Sequence, residues 1–197
     1  MNRMAPSSGC RIRSSVAVTL LAASFAASAQ SPGSVKLCES CHGPGGNSTT
    51  AKVPSLAAQP QTFLENQLVY FREELRPAPV MQAIARDLKD EEITALAKHF
   101  SASKADPGAT DALAPAVAER ARGLAAKLHC GQCHRPDFHG QGQMARLAGQ
   151  REDYLYDALV GYRDGQRGGA DTTMAEVLYG AGDDDLKLLA GYLSGLK

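Results

Sequence analysis

Tryptophan is absent from this 197-residue chain and aromatic residues make up only 6 % of it. Nor does the chain offer a membrane-spanning stretch. Its N-terminal apolar run, Val16 to Ala27, falls well short of the roughly 20 residues a spanning helix needs. Charge of one sign is also lacking. The 21 Lys and Arg are balanced by 21 Asp and Glu, which excludes the basic footprint of a nucleic-acid-binding protein. No segment alternates apolar and polar residues in the manner of a half-buried strand. Cysteine is scarce: there are five, and four of them fall within two short motifs.

Those motifs are Cys38-Glu39-Ser40-Cys41-His42 and Cys130-Gly131-Gln132-Cys133-His134, both of the form Cys-x-x-Cys-His. This is the attachment signature of c-type haem. Two thiols three positions apart on a helical turn can each form a thioether to one haem vinyl group, and the adjacent histidine then lies under the iron. A lone Cys-x-x-Cys could instead be a redox dithiol or half of a zinc site, and two together could make one four-thiolate zinc centre. Both readings leave the two histidines without a role. They also do not explain why a methionine follows each motif at nearly the same distance, Met81 at 39 residues beyond His42 and Met174 at 40 beyond His134.

The chain is a tandem duplication. Leu56-Ala57-Ala58-Gln59 matches Leu147-Ala148-Gly149-Gln150, Phe63-Leu64 matches Tyr154-Leu155, and Phe71-Arg72 matches Tyr162-Arg163, all at an offset of 91. At an offset of 93, Met81 matches Met174, Asp90-Glu91-Glu92-Ile93 matches Asp183-Asp184-Asp185-Leu186, and Leu96-Ala97 matches Leu189-Ala190. A repeat of this length is a duplicated domain, because solenoid periods are shorter and need three or more copies.

Ahead of the repeats, Arg3, Arg11 and Arg13 precede the apolar run, and Ala27-Ser28-Ala29 supplies the small residues of a cleavage site. Residues 1–29 therefore read as a cleaved secretory signal peptide, with an uncleaved anchor as the alternative. Its removal would take Cys10 with it and leave 18 Lys and Arg against 21 Asp and Glu, a net charge of −3. The remaining four cysteines are all committed to haem, so no disulfide is expected, although an oxidising compartment would allow one. The mild acidity would steer the protein to a basic partner or keep it off anionic lipid.

The expected organisation is domain 1 at 30–103, a linker at 104–116 rich in small and turn-forming residues, and domain 2 at 117–197. Units of this size have a marginal core when built from side chains alone, so folding is expected to be coupled to the cofactor. Helix is expected throughout. Phe63, Leu64, Leu68, Phe71 and Leu75 recur at helical spacing, as do Ile93, Leu96, Ala97 and Phe100 after Asp90. Leu186, Leu189, Ala190 and Leu193 repeat the pattern after Asp183-Asp184-Asp185. The acidic runs read as helix first turns, where carboxylates favour the positive end of the dipole.

On the two haem motifs, the Leu-Ala-(Ala/Gly)-Gln stretches, the Phe-Arg and Tyr-Arg pairs and the two late methionines, the chain resembles the diheme cytochrome c4 family. That resemblance implies an all-α protein of two tandem class I cytochrome c domains, each wrapped around one covalently bound haem c. Cys38, Cys41, Cys130 and Cys133 would carry the thioethers. His42 with Met81, and His134 with Met174, would be the axial iron ligands. Pro54 would offer its carbonyl to the His42 ring N–H, fixing the ring and raising its basicity. Domain 2 lacks that proline: counting from His134 gives Arg146, and counting back from the Leu-Ala stretch gives Ala145. Domain 1 should also have a shortened first helix and less packing of that helix against its last one.

A methionine thioether favours ferrous iron and fills the sixth position, which suits electron transfer and leaves no site for oxygen or peroxide chemistry. Arg72 and Arg163 read either as propionate or inter-domain contacts or as plain surface charges. Met144 and His139 are weaker ligand candidates than the methionines, His99 reads as a surface residue, and His129 should point away from the haem. The resemblance implies a periplasmic carrier rather than an enzyme. It would move electrons between a redox protein donor, a quinol-oxidising complex or dehydrogenase, and a terminal oxidase, with at most peripheral membrane contact. The alternatives are the cytochrome subunit of a larger dehydrogenase, such as a sulfide-oxidising flavocytochrome, and a sensor or diheme enzyme with an open iron.

Overall fold

The computed structural model describes residues 1–2, 32–106, 113–168 and 172–197. The expected signal segment from Arg3 onward and the middle of the expected linker, including Pro107 and Gly108, lie outside the described residues. The described chain is helical, with no strand. The first repeat contains α1 (Pro32–His42), a short 3-10 turn (Pro44–Gly46), α2 (Gln61–Arg72), α3 (Pro79–Ala85) and α4 (Asp90–Ala102). The second contains α5 (Pro115–Lys127), α6 (Cys130–His134), α7 (Glu152–Arg163), α8 (Thr173–Leu178) and α9 (Asp183–Ser194).

Each repeat is organised around one long pair, α2 on α4 and α7 on α9, with the short helices α3 and α8 laid against α2 and α7. The apolar stripes seen in the sequence are the contacting faces. Leu64, Leu96, Ala97 and Phe100 form the core of the first unit, and Leu155, Leu159, Leu178, Leu186, Leu189, Ala190 and Leu193 form most of that of the second. Leu75 departs from expectation. Helix α2 stops at Arg72, the chain turns through Glu74 with φ at 56°, and Leu75 is left 53 % exposed.

The acidic first turns have a second use beyond the helix dipole. Arg72, at the end of α2, donates from Nη1 to Asp90 Oδ1 at 2.7 Å and to Leu88 O at 3.1 Å. Arg163, at the end of α7, makes the same pair of contacts with Asp183 Oδ1 at 2.6 Å and Ala181 O at 3.1 Å. Both arginines therefore clamp the end of one long helix to the start of its partner within their own unit, and neither is an inter-domain contact. Glu92 adds half a capping box, its Oε2 accepting the Lys89 N–H at 3.0 Å.

The two units differ at their entry helices. Helix α5 packs along α9, burying Ala121 and Ala125 and bringing Leu124 and Leu128 against the core. Helix α1 reaches the core of its unit through Val35 and Cys38 alone among its described residues. Among the described residues, the thinner packing expected of the first helix in the first unit is thus present. Beyond α4, Asn47 grips the outgoing chain: its amide donates to Lys104 O at 3.0 Å and accepts from the Asp106 N–H at 2.7 Å.

Candidate haem sites

Cys38 and Cys41 ride on the last turns of α1, whereas Cys130 and Cys133 occupy α6, a five-residue helix set off from α5 by His129 in the left-handed region at φ 56°. In both motifs the two thiols are three residues apart and so share a helix face. The first cysteine of each pair is half-buried and the second exposed, and none of the four is paired in a disulfide. Burial pushes the Cys38 and Cys130 thiols up. The two motifs do not converge: among the described residues no three His, Cys, Asp or Glu side chains gather as a metal site, which removes the shared four-thiolate zinc reading.

His42 and His134 close their helices and are 7 % and 8 % exposed. His42 Nδ1 lies 2.8 Å from Pro54 O, and His134 Nδ1 lies 2.8 Å from Ala145 O. Burial pushes both imidazoles below the usual histidine range, against the opposing pull of those carbonyls. A neutral imidazole that donates from Nδ1 keeps its lone pair on Nε2, the form a metal ligand needs.

Ala145, and not Arg146, is therefore the counterpart of Pro54, for a reason visible in the backbone. Gly46 O accepts from the N–H groups of Leu56 and Ala57, and Phe138 O accepts from those of Leu147 and Ala148. Each acceptor lies four residues beyond its haem-motif histidine, but the loop that follows is one residue shorter in the second unit. The contact uses a backbone carbonyl, so the proline ring is dispensable.

Met81 is the third residue of α3 and Met174 the second of α8; both are half-buried, and Met174 packs against the second core. Among the weaker ligand candidates, the histidines have partners of their own. His139 Nε2 faces Lys197 O at 3.3 Å and its Nδ1 faces Asp137 at 3.4 Å. Met144 pairs through its backbone with Gln141 in a tight turn. His99 stacks edge-on against Phe100, and His129 Nδ1 faces the side-chain amide of Gln132.

Two arginines not singled out from the sequence lie between the units. Arg76 and Arg167 occupy equivalent positions, 91 residues apart. Arg76 sits over the Phe71 ring at 4.6 Å and Arg167 over the Tyr162 ring at 4.9 Å. Both donate to the Tyr154 hydroxyl, at 3.2 and 2.8 Å. Burial pushes the Tyr154 phenol up, but the Arg167 and Arg76 guanidiniums outweigh burial and bring it down to about 8. Neither arginine has a carboxylate partner among the described residues, and Arg167 Nε is buried with no hydrogen-bond partner. A buried guanidinium with a donor to spare calls for an anion. The carboxylates of haem propionates have that chemistry, so the residues present fit the cofactor that the cysteine motifs imply. The signal in the sequence was the repetition of arginine at the 91-residue offset.

A family model described as Cytochrome c matches residues 118–197, the second unit. The thiosulfate dehydrogenase electron acceptor of Thiomonas intermedia is 33 % identical over 80 % of this chain and 79 % of its own. Cytochrome c4 of Stutzerimonas stutzeri is 30 % identical over 83 % and 86 %. Among solved structures, reduced recombinant cytochrome c4 from Pseudomonas stutzeri superposes with a TM-score of 0.76 at 29 % identity, covering 84 % of this chain and 96 % of that one.

Proposed function

Since this chain belongs to the diheme cytochrome c4 family and carries two covalently attached haem c groups, we propose that it is a periplasmic carrier passing electrons from a respiratory donor to a terminal oxidase or equivalent acceptor. Each haem supplies a one-electron ferric/ferrous couple. In this reading Cys38 and Cys41 hold one haem and Cys130 and Cys133 the other, with His42 and Met81, and His134 and Met174, as the axial pairs. The chain's own work is to fix those ligands. The Pro54 and Ala145 carbonyls orient each imidazole, burial keeps the rings neutral, and Arg76 and Arg167 would hold the propionate carboxylates. Fixed ligands mean that little rearranges when charge moves, which is what a carrier requires.

The observation that carries the proposal is the pair of buried, neutral histidines, each held by one carbonyl and each beside its own pair of cysteines. The test is the visible spectrum of the ferrous protein with and without carbon monoxide. A carrier with two methionine-ligated irons leaves the spectrum unchanged, whereas carbon monoxide binding at either haem would reveal an open iron and favour a sensor or enzyme. Carbon monoxide binding should appear at one haem in Met81→Ala and at the other in Met174→Ala.

A second reading is favoured by the Thiomonas relative, which is named as the electron acceptor of thiosulfate dehydrogenase. On that reading the donor is a periplasmic dehydrogenase, with the chain as its dedicated partner or subunit. No described helix is long and apolar enough to cross a membrane. Co-purification with a dehydrogenase would separate the two readings.

A further inference from the structure

The two units meet through a reciprocal pair of glutamine side chains. Gln59 donates from Nε2 to Arg146 O at 2.9 Å and accepts at Oε1 from the Arg146 N–H at 2.9 Å. Gln150 donates to Ser55 O at 2.9 Å and accepts from the Ser55 N–H at 2.8 Å. Gln59 and Gln150 are equivalent positions, as are Ser55 and Arg146, each pair 91 residues apart. The contact is therefore self-complementary about a pseudo-two-fold axis, like an isologous dimer interface. Both glutamines are almost fully buried, at 4 % and 5 % exposure.

The peptide group each glutamine grips is not an arbitrary one. The Ser55 N–H and the Pro54 C=O belong to the same peptide, and that carbonyl accepts the hydrogen bond of His42 Nδ1. Likewise the Arg146 N–H and the Ala145 C=O belong to one peptide, whose oxygen faces His134 Nδ1. Each glutamine thus touches, across the interface, the peptide that holds the other unit's histidine. Hydrogen bonds in series polarise one another. A peptide whose N–H donates to an amide oxygen carries more charge on its own carbonyl and draws harder on the imidazole N–H.

We propose that Gln59 and Gln150 are positioning residues that tune the opposite unit's haem: Gln59 acts on His134, and Gln150 on His42. The inference rests on those histidines being axial ligands, as proposed above. A more strongly drawn N–H makes the imidazole a better donor to iron and favours the ferric state, so each glutamine lowers the potential of the other unit's haem. The effect is unequal. Gln150 Oε1 is shared with the N–H of its own neighbour Arg151 at 3.0 Å, whereas Gln59 Oε1 is given to Arg146. Gln59 is the stronger of the two.

The test is a redox titration of the intact two-haem protein, followed by NMR so that each haem is assigned through its own attachment helix. It compares the wild type with Gln59→Met and Gln150→Met. Gln59→Met should raise the potential of the haem on Cys130 and Cys133 and leave the other in place; Gln150→Met should do the reverse, with a smaller shift. In the ferrous state the Nδ1–H resonance of the affected histidine should move upfield, and that of the unit carrying the substitution should not. Where Gln59→Met fails to fold, Gln59→Asn keeps an amide but withdraws it from the peptide, and the same crossed pattern is expected. A shift in the substituted unit's own haem, equal shifts in both, or no shift overturns the inference. If the wild-type ferrous protein shows no hydrogen-bonded His42 and His134 Nδ1–H resonances beside its haems, the ligation reading falls, and this inference with it.

Discussion

At the scale of single residues, the site depends on backbone carbonyls more than on the side chains that supply them. Ala145 does for His134 what Pro54 does for His42 across a loop one residue shorter, so Pro54→Ala should leave the ligation spectrum intact. Backbone strain distinguishes the units at a neighbouring position. Ala58 sits at φ 55°, and its counterpart Gly149 sits at φ 69°; their N–H groups donate to Phe100 O and Leu193 O respectively. The left-handed region costs a residue with a Cβ about 1 kcal/mol, so Ala58→Gly is expected to raise the unfolding midpoint of the first unit by roughly that free energy, measured by denaturant titration. Tyr154 offers a check on the propionate assignment. With only Arg76 and Arg167 around it the phenol titrates at about 8, below the usual value near 10. Its ionisation then stabilises the fold fully above pH 10, and that contribution is lost as the pH falls through about 8. Propionates on the two guanidiniums would neutralise them. The holoprotein should therefore show a Tyr154 titration well above 8 in the tyrosinate absorbance difference between wild type and Tyr154→Phe. A transition near 8 would mean that the guanidiniums face the phenol alone.

At the scale of elements, the helices were legible because periodicity and the first-turn carboxylates are local signals. Leu64, Leu96, Ala97 and Phe100 face one another as their spacing requires. The haem motifs were legible because thioether chemistry tolerates only one spacing. What local signals do not carry is which partner a repeated polar residue meets. Arg72 and Arg163 stood out as a repeated pair, but their partners are the first turns of α4 and α9 in their own units. Arg76, Gln59 and Gln150 belong to pairs that repeat just as faithfully, and each of the three has a partner in the other unit. Repetition marks a residue as used; it does not say across which boundary. The clamp readily lends itself to a test. Asp90 and Asp183 have largely exposed side chains, so Arg72→Met and Arg163→Met should each lower Tm modestly, with most of the remaining loss coming from the carbonyl contacts and little from the screened ion pair. Raising the salt concentration should bring wild type and variant closer without making them equal. Neither substitution should move either haem potential.

At the scale of the whole molecule, two copies of one fold have diverged in how much of their core is protein. The central cluster of the second unit holds ten buried apolar side chains, with α5 laid along α9, while that of the first holds four, with only Val35 and Cys38 of the described residues of α1 against it. A central cluster of four is thin for a unit of this size even with Ala57, Phe71, Ala85 and Ile93 buried around it, and the apolar surface of a haem would make up the difference. The dependence on the cofactor should therefore be unequal. Replacing Cys38 and Cys41 by alanine removes the attachment in the first unit, and amide exchange in α2 and α4 should then rise toward that of an unfolded chain. The matching Cys130→Ala, Cys133→Ala protein should keep measurable protection in α7 and α9. The interface links the two outcomes, because Gln150, Tyr154 and Asp153 of the second unit hold backbone and side chains of the first. Loss of the first unit exposes those groups to water and removes their interface hydrogen bonds, each a net contribution of about 0.5–1.5 kcal/mol. Removing the first haem should thus destabilise both units. Equal protection in the two double variants would show that side chains and not haem hold the first unit together.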